Sequence, residues 1–284
     1  MILATVVSGC ASSSPSPNNT PTGGVSFVDP VARKALPKSV IASGKLRVGI
    51  DTSYPPNEFL DAGGNPVGWE VELMHAISLR LGVNLEYHQV SFDTIIPAVQ
   101  AGNLDMGLSS FFDTAERQKL VDLVDYYSAG ILWVQKTGEP SLDISNACGL
   151  AIAAQKGTFE SDTDLPAKSA ACVAQNKPAI EIKQYVLQTD ATDALRLGRV
   201  SAFAADSPVS LFAIKESAGQ LTAVGKTYST LDYGIPVKKG SGLRLALKLA
   251  IKKVMQDGTY TKILDSWGVT AGAVDSPKIN GMGN

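Results

Sequence analysis

Two charged side chains, Arg117 and Asp206, combine residue type and position in a way that could form a ligand contact. Arg117 presents a planar guanidinium fork, which can pair with both oxygens of a carboxylate. Taken by itself within segment 115–119, the same arginine fits a charge on the surface of a helix. Asp206 follows the apolar run 202–205, and an acid at the carboxyl end of a buried strand lies where α/β sheets present ligand contacts. The alternative for Asp206 is a helix N-cap in front of Ser207.

Residue types that many catalytic and nucleic-acid-binding sites need are scarce or unpatterned in this chain. The two histidines, His75 and His88, belong to no nucleophile constellation, and surface or core packing explains both. The sequence has neither a metal-ligand spacing nor a phosphate-binding loop, so no metal and no cofactor is expected. The 25 basic and 27 acidic residues give a net charge of -2, which lacks the positive footprint of a nucleic-acid binder. A small neutral or zwitterionic partner fits better.

The first of the three cysteines, Cys10, ends a short apolar stretch at the start of the chain. Residues 1–10 are about half as long as a membrane span and close with small residues before the cysteine. This pattern resembles a bacterial lipoprotein signal that lacks its basic leader, in which Cys10 receives the lipid. A fortuitous apolar N-terminus is the alternative. Residues 11–24 are rich in Ser, Pro, Asn, Thr and Gly, which predicts a flexible tether that displays a domain outside the cell.

The other two cysteines, Cys148 and Cys172, lie together in the middle of the chain, each near a predicted strand. Because an exported protein works in an oxidising environment, we expect this pair to form a disulfide. Two buried thiols are the alternative.

From Lys45 onward, short β-type runs alternate with helical patterns, which predicts an α/β fold with mostly parallel sheets. The first series is strand 46–50, helix 71–81, strand 85–90, helix 94–101 and strand 106–108. The second series is strand 150–154, a helix after Gly157, strand 179–183, helix 191–197 and strand 202–205. Helices 243–257 and 259–267 follow. Two similar α/β units suit a chain of 284 residues, 44% of them hydrophobic.

Two extended runs, 129–134 and 231–237, connect these units. If both are strands that cross between the units, the second unit is inserted into the first, and a two-stranded hinge lies beneath a cleft. Clefts between domains are where small ligands usually bind. The expected parts of the chain are a clipped signal (1–10), a tether and leader (11–44), lobe 1 (45–133 and 234–269), an inserted lobe 2 (134–233) and a tail (270–284).

Ordered blocks of sequence between Lys45 and Val269 resemble the type II periplasmic binding proteins, in particular family 3, which serves amino-acid transport. The blocks are 48–59, 68–73, 92–106, 109–117, 155–158, 197–206 and 260–267. Each block is weak by itself, but their order over this length makes the resemblance specific. It implies a two-lobed Venus flytrap fold with a two-stranded hinge, in which closure of the lobes buries the ligand.

The resemblance also implies roles for particular side chains. Arg117 matches the arginine that grips the carboxylate of the ligand, and Asp206 matches the lobe-2 acid that pairs with its α-ammonium group. Asp51 and Tyr54 match an acid and an aromatic in the loop after the first strand, and Phe92 matches an aromatic wall of the cleft. The expected ligand-binding residues are Asp51, Tyr54, Trp69, Phe92, Ser109, Ser110, Phe112, Arg117, Gln155, Thr158, Phe159 and Asp206.

Two positions depart from the family pattern and make the cleft more aromatic. Phe112 stands where the family usually carries a serine or threonine, whose hydroxyl meets the zwitterion. Phe159 stands where the family often has another hydroxyl or a small residue, which leaves only backbone N–H groups for the carboxylate. A larger ligand, or one with a cationic group stacked on rings, therefore becomes plausible.

The function implied by the resemblance is the capture of an amino acid, or a related zwitterion or amine, for an ABC permease in the membrane. The protein is expected to act as a monomer, held by lipid at the outer face of the cell membrane. An enzyme on the same scaffold, similar to cyclohexadienyl dehydratases, is the alternative, with Glu58 or Glu160 as its acid. A sensory module that signals through a separate chain is a third class.

Overall fold

Alternating strands and helices make up residues 27–282, which the computed structural model describes. The helices are α1 (Pro30–Lys34), α2 (Lys38–Ser43), α3 (Trp69–Leu81), α4 (Phe92–Ala101), α5 (Ala115–Leu120), α6 (Leu165–Ala174), α7 (Gln188–Arg196), α8 (Ser207–Glu216), α9 (Leu243–Gln256) and α10 (Thr259–Trp267). The strands are β1 (Lys45–Ile50), β2 (Ser53–Tyr54), β3 (Glu58–Leu60), β4 (Pro66–Val67), β5 (Asn84–Gln89), β6 (Met106–Gly107), β7 (Val121–Lys136), β8 (Ala151–Gln155), β9 (Glu181–Tyr185), β10 (Ala202–Asp206) and β11 (Leu221–Lys238). There are also 3-10 turns at Ile144–Asn146 and Thr270–Gly272 and a π-helical turn at Glu160–Asp164.

One mixed sheet runs through both halves of the molecule, with strands in the order β5-β1-β6-β11-β7-β10-β8-β9. β1 pairs in parallel with β5 and β6, and β8 pairs in parallel with β9 and β10. We call the part around β5-β1-β6 lobe 1 and the part around β10-β8-β9 lobe 2. The α/β fold that the alternating pattern predicts is therefore confirmed.

Lobe 1 buries apolar side chains on both faces of its strands. Leu73, Ile77 and Leu81 lie four residues apart on α3, so they share one face, and that face packs in a core with α9 and α10. On α4, Ile95 and Val99 form a second cluster. These two layers fix the carboxyl ends of β1 and β6, from which the loops toward lobe 2 emerge.

Lobe 2 also has two apolar clusters, one with α7 and α8 and one with α6. In the second cluster, Cys148 and Cys172 are joined by a disulfide with their Cα atoms 5.5 Å apart. The bridge favoured from the sequence is therefore present, and it fastens α6 to the segment that precedes β8. Cys172 itself lies within α6 rather than in a strand.

Two long antiparallel strands, β7 and β11, cross between the lobes side by side. Their pairing changes register between Val224 and Leu231, close to the point where the chain passes from one lobe to the other. Opposite this irregular segment, a Cβ atom on Gly130 would come within 2.6 Å of the carbonyl oxygen of Tyr228, so the close approach of the two strands requires a glycine there. The two-stranded hinge is formed by these strands.

Segments at both ends of the described residues pack on lobe 1. Arg33 Nη1 donates hydrogen bonds to the carbonyl oxygens of Leu81 and Gly82 at 2.9 and 2.6 Å. Near the other end, Ile279 forms an antiparallel bridge with Val124. Cys10, the expected signal and the tether lie outside the described residues. No helix within 27–282 has both the length and the apolar character of a membrane span.

Candidate ligand-binding site

A narrow cavity lies between the lobes, at the carboxyl ends of strands from both. Asp51 follows β1, Ser109 lies two residues beyond β6, and Gln155 and Asp206 end β8 and β10. Such strand ends are the usual place for a ligand in α/β folds. The lining residues are Asp51, Tyr54, Glu58, Phe92, Ser109, Ser110, Phe112, Arg117, Gln155, Thr158, Phe159, Glu160 and Asp206. The structure thus brings together all the predicted ligand-binding residues except Trp69.

Arg117 extends from α5 on lobe 1 and reaches across the cleft. Its Nη1 donates to the carbonyl oxygen of Phe112 at 3.0 Å, and its Nη2 donates to the carbonyl oxygen of Gly157 on lobe 2 at 3.1 Å. The guanidinium carbon lies 5.4 Å from the ring centre of Phe92 and 5.3 Å from that of Phe111. These rings stack 4.5 Å apart, so the guanidinium is held by two carbonyls and two aromatic rings.

Asp206 and Glu160 form the acidic wall of lobe 2, and they are only 3% and 1% exposed. The hydroxyl of Tyr233 donates to Asp206 Oδ2 at 2.7 Å, and the backbone N–H of Asp206 donates to the hydroxyl of Tyr54 at 3.2 Å. Burial raises the pKa of Asp206 to about 6, even though its hydrogen bonds favour the ionised form. Burial, followed by the adjacent charge of Asp206, raises the pKa of Glu160 well above its usual value.

Arg117 is the single basic residue among those that line the cavity, and its guanidinium is positively charged. Burial lowers the pKa of its guanidinium, while Asp206 and Glu160 raise it, and arginine keeps its proton in proteins. Four acids line the same cavity, namely Asp51, Glu58, Glu160 and Asp206. The cavity therefore has an excess of acidic groups.

Three of these acids each have a buried oxygen to which no N–H or hydroxyl group in residues 27–282 donates; Glu58 contacts the carboxyl of Glu70, and Glu160 contacts that of Asp206. The atoms are Glu58 Oε2, Glu160 Oε1 and Asp206 Oδ1. A buried carboxyl oxygen without a donor is costly unless it is protonated or meets a water, an ion or a ligand. Donors or positive charge from a ligand would satisfy them.

Asp51, by contrast, has both oxygens engaged by protein donors. Oδ1 accepts from the backbone N–H and the hydroxyl of Ser53 at 2.9 and 2.6 Å. Oδ2 accepts from the backbone N–H of Phe92 and from Nε2 of Gln155, both at 3.0 Å. Since Gln155 belongs to lobe 2, the last bond joins the lobes. Burial raises the pKa of Asp51, and these hydrogen bonds oppose that effect.

Ser109 and Ser110 direct their hydroxyl protons to buried glutamates. Ser109 Oγ donates to Glu58 Oε1 at 2.9 Å, and Ser110 Oγ donates to Glu70 Oε1 at 2.7 Å. Both glutamates are fully buried, and burial raises the pKa of each, with the charge of Glu70 adding to the rise for Glu58. The two serines therefore connect the cavity wall to Glu58, which also lines the cavity, and to Glu70.

The two phenylalanines that depart from the family pattern meet in the cavity. Phe112 from lobe 1 and Phe159 from lobe 2 contact edge to face, with ring centres 6.1 Å apart and planes at 87°. Beside them, the hydroxyl of Thr158 donates to the carbonyl oxygen of Gln155 at 2.8 Å and is thus already engaged. The rings give the cavity an apolar surface between its charged groups.

Trp69 was expected among the ligand contacts, but the structure places it away from the cavity lining. Its side chain is 0% exposed and does not line the cavity. The indole N–H donates to Asn57 Oδ1 at 2.7 Å, and the ring packs 4.6 Å from that of Tyr127. The first residue of α3 is therefore part of the lobe 1 core, because its indole turns inward beneath the loop that holds Asn57.

Glu58 and Glu160 line the cavity, although sequence reasoning named them only as acids for an enzyme. Glu58 lies inside the matching block 48–59, and Glu160 lies two residues after the block 155–158. Their position in or next to those blocks was the sequence signal that could have predicted them as cavity-lining residues.

Groups that would suggest metal chemistry do not assemble in the described part of the chain. Between residues 27 and 282, no group of three or more His, Cys, Asp or Glu side chains could hold a metal ion. His75 is exposed on α3, and His88 on β5 lies 3.5 Å from Glu86, away from the cavity lining.

Comparisons with known proteins identify the family to which this fold belongs. Residues 46–270 match the profile of the bacterial extracellular solute-binding proteins, family 3. The arginine-binding protein ArgT of Corynebacterium glutamicum is 36% identical over 252 residues, which are 88% of this chain and 83% of that protein.

Two solved structures extend the comparison. An ancestral arginine-binding protein bound to arginine superposes with a TM-score of 0.73 at 34% identity, covering 79% of this chain and 98% of that one. An ancestral amino-acid-binding protein described as a precursor of cyclohexadienyl dehydratase superposes with a TM-score of 0.70 at 28% identity, covering 81% and 97%.

Proposed function

This chain belongs to family 3 of the bacterial extracellular solute-binding proteins, and we propose that the solute it binds is a cationic amino acid, arginine foremost. The observation that carries the proposal is the acidic lining of the cavity, where four carboxyl groups face one arginine, so a cationic ligand can favour the ionised form of carboxyls whose pKa burial raises. A ligand with two positive groups and one carboxylate complements that balance. The arginine-binding relatives support the same class of ligand.

Each part of such a ligand has a complementary group in the cavity. Arg117 pairs with the carboxylate, because the guanidinium fork suits two oxygens. Asp206 on lobe 2 receives the α-ammonium group. The cation of the side chain packs on the rings of Phe112 and Phe159 and is balanced by the free oxygen of Glu58.

The proposal extends to the rest of the chain. Lobe 1 comprises residues 45–133 and 234–269, lobe 2 comprises residues 134–233, and a monomer delivers its ligand to an ABC permease. Lipid on Cys10 holds the protein at the outer face of the cell membrane, with residues 11–24 as the tether. Family membership supports a role outside the cytoplasm.

One observation favours a second candidate, an acid-catalysed dehydration on the same scaffold. The raised pKa of Glu160 would keep its carboxyl protonated beside a substrate, as a general acid requires. The relatives are binding proteins, including the dehydratase precursor, and this supports binding without turnover. Incubation with prephenate or arogenate separates the two functions, because product formation would favour the enzyme.

Calorimetric titration of the purified protein with four ligands tests the proposed function. Arginine should bind, and citrulline, whose ureido group is neutral but similar in shape, should bind at least about tenfold more weakly because a buried acid loses its cation. Glutamine tests a shorter neutral side chain. Agmatine, which is arginine without its carboxylate, tests the role of Arg117.

Replacing Arg117 by Ala completes the test. Arg117→Ala should weaken arginine binding by about 2–5 kcal/mol, because the carboxylate loses its buried partner. Agmatine binding should fall much less. Lys119→Ala is the matched control, since Lys119 lies on the same helix with its side chain 66% exposed. Equal losses for arginine and agmatine, or citrulline as tight as arginine, would contradict the proposed function.

A further inference from the structure

Glu160 and Asp206 lie side by side although they come from different elements. Asp206 is the last residue of β10, and Glu160 begins the π-helical turn that follows β8. Because β8 and β10 are parallel neighbours in the sheet, their carboxyl ends meet at the same edge. The side chains of Glu160 and Asp206 are in hydrogen-bond contact, which shifts the pKa of each in opposite directions.

Two buried carboxyl groups in contact cannot both be ionised without a compensating cation. Tyr233 supplies one donor to Asp206 Oδ2. Glu160 Oε1 and Asp206 Oδ1 accept from no N–H or hydroxyl group in the part of the chain that the structure describes. A proton shared within the pair relieves the repulsion, and so does a positive group placed between the two free oxygens.

We propose that Glu160 is a second ligand-contacting carboxyl on lobe 2, and that Glu160 and Asp206 exchange a shared proton for the ammonium group of the ligand. The inference rests on the proposed function, because the ammonium belongs to the bound amino acid. On binding, the carboxyl O–H bond breaks, its proton goes to solvent, and the N–H groups of the ammonium become donors to the freed oxygens.

The neighbouring groups keep their charge state while the pair exchanges its proton. Arg117 stays positive, and its Nη1 and Nη2 atoms already donate to backbone carbonyls. The surrounding hydroxyls stay neutral because burial raises the pKa of each tyrosine, namely Tyr54, Tyr228 and Tyr233. Asp162 is exposed beside Glu160, and Glu58 faces the cavity from lobe 1.

Glu58 also has a raised pKa, so a proton released on binding has two candidate sources. Replacing Glu160 by Gln distinguishes them. Glutamine keeps the size of the side chain but cannot share an acidic proton with Asp206, and it leaves Glu58 unchanged. Asp162→Asn is the matched control, because it removes an acid from the same turn that points to solvent.

The experiment is calorimetric titration with arginine at several pH values between 6 and 8, in buffers of different ionisation enthalpy. We expect wild type to release close to one proton per arginine near pH 7, so its affinity should rise by up to about tenfold per pH unit. In Glu160→Gln, proton release should fall by at least half and the pH dependence should flatten. Asp162→Asn should behave as wild type.

Each outcome bears on a different claim. Arginine binding by wild type without proton release would overturn the exchange and leave the proposed function standing. Proton release that persists in Glu160→Gln would overturn the role of Glu160. If none of the four ligands bound, both the proposed function and the exchange would be contradicted. The wild-type proton count stands even if the variant folds poorly, which its thermal unfolding would reveal.

Discussion

A buried aspartate at the base of lobe 1, Asp125, is surrounded in a way that keeps its carboxyl protonated. It is 1% exposed, and its Oδ2 accepts from the backbone N–H of Gly281 at 3.1 Å. Its Oδ1 has no donor anywhere in the described chain. Burial, and after it the charges of Asp113 and Asp232, raise the pKa of Asp125 to about 8. The folded protein therefore holds a proton at pH 7 that the unfolded chain has released.

This difference predicts that stability falls as pH rises. The unfolded carboxyl has a pKa of about 3.9, so between about pH 5 and 8 the folded state carries the extra proton. The free energy of unfolding should then decrease by up to about 1.4 kcal/mol per pH unit from this group alone. Asp125→Asn keeps the shape without the titration, so its decrease should be shallower. Urea unfolding at four pH values across this range measures both slopes.

The control for this comparison is Asp265→Asn, which removes an acid from an exposed position on α10. Other buried acids add to the slope of every variant, so the difference from wild type is the quantity that matters. Equal slopes for wild type and Asp125→Asn would show that Asp125 is ionised in the folded state.

At the scale of single residues, the family resemblance predicted those ligand contacts that are part of the family's sequence pattern. Arg117 and Asp206 were predicted as opposite ends of the site, and the structure places both at one cavity. The pairing of Glu160 with Asp206 could not be predicted, because it depends on β8 lying beside β10. Trp69 was predicted as a ligand contact because it lies in a block that matches the family. Such a match does not reveal that its indole points into the core of lobe 1.

At the scale of elements, the disulfide predicts a measurable share of stability. It joins Cys148 to Cys172 on α6 across a separation of 24 residues. A cross-link around a loop of this length typically contributes about 2–4 kcal/mol, mainly by restricting the unfolded chain. Reduction should lower the free energy of unfolding by that amount. Urea titration with and without dithiothreitol, in a Cys10→Ser background, measures the difference.

A double variant, with Cys148→Ser and Cys172→Ser, provides the control. It should unfold at the lower urea concentration and should not respond to dithiothreitol. If fully reduced wild-type protein, verified by thiol labelling, unfolded at the same urea concentration as the oxidised form, the stabilising role of the bridge would be refuted.

Element types were more predictable than element lengths. The crossing strands were predicted at 129–134 and 231–237, whereas β7 and β11 span Val121–Lys136 and Leu221–Lys238. Residues at the start of β11 are mostly polar and include Gly225, so no apolar alternation marks them as a strand. They are extended because they pair with β7. This contact joins residues far apart in the chain, so the local sequence does not predict it.

At the scale of the whole molecule, two contacts that join the lobes across the cleft differ in their exposure to solvent. The bond from Gln155 to Asp51 is buried and connects the walls of the cavity. The ion pair between Lys156 and Asp93, 2.7 Å long, lies at the rim with the lysine side chain 54% exposed. Because solvent screens exposed pairs, the buried bond should do more to hold the lobes together.

We therefore expect Gln155→Leu to shift the molecule toward an open arrangement. The substitution removes a donor from Asp51 Oδ2 inside the closed cleft, and a buried acceptor that loses its donor costs about 1–3 kcal/mol. Arginine affinity should fall by the corresponding factor, and the radius of gyration from X-ray scattering with arginine present should increase.

Lys156→Ala provides the comparison, since it removes the rim contact and should change arginine affinity little. A larger loss from Lys156→Ala than from Gln155→Leu would contradict this ranking of the two contacts.

The adjacency of β7 and β11 has a consequence for how such a protein can diversify. The chain enters and leaves lobe 2 through neighbouring strands, so the inserted segment behaves as a cassette whose two ends lie together. Recombination at those ends would replace Glu160 and Asp206 in one event. Arg117 and the rings of Phe92 and Phe111 that hold it would remain in lobe 1. The residue that we propose binds the carboxylate of the ligand and those that we propose bind its ammonium group could thus be inherited separately.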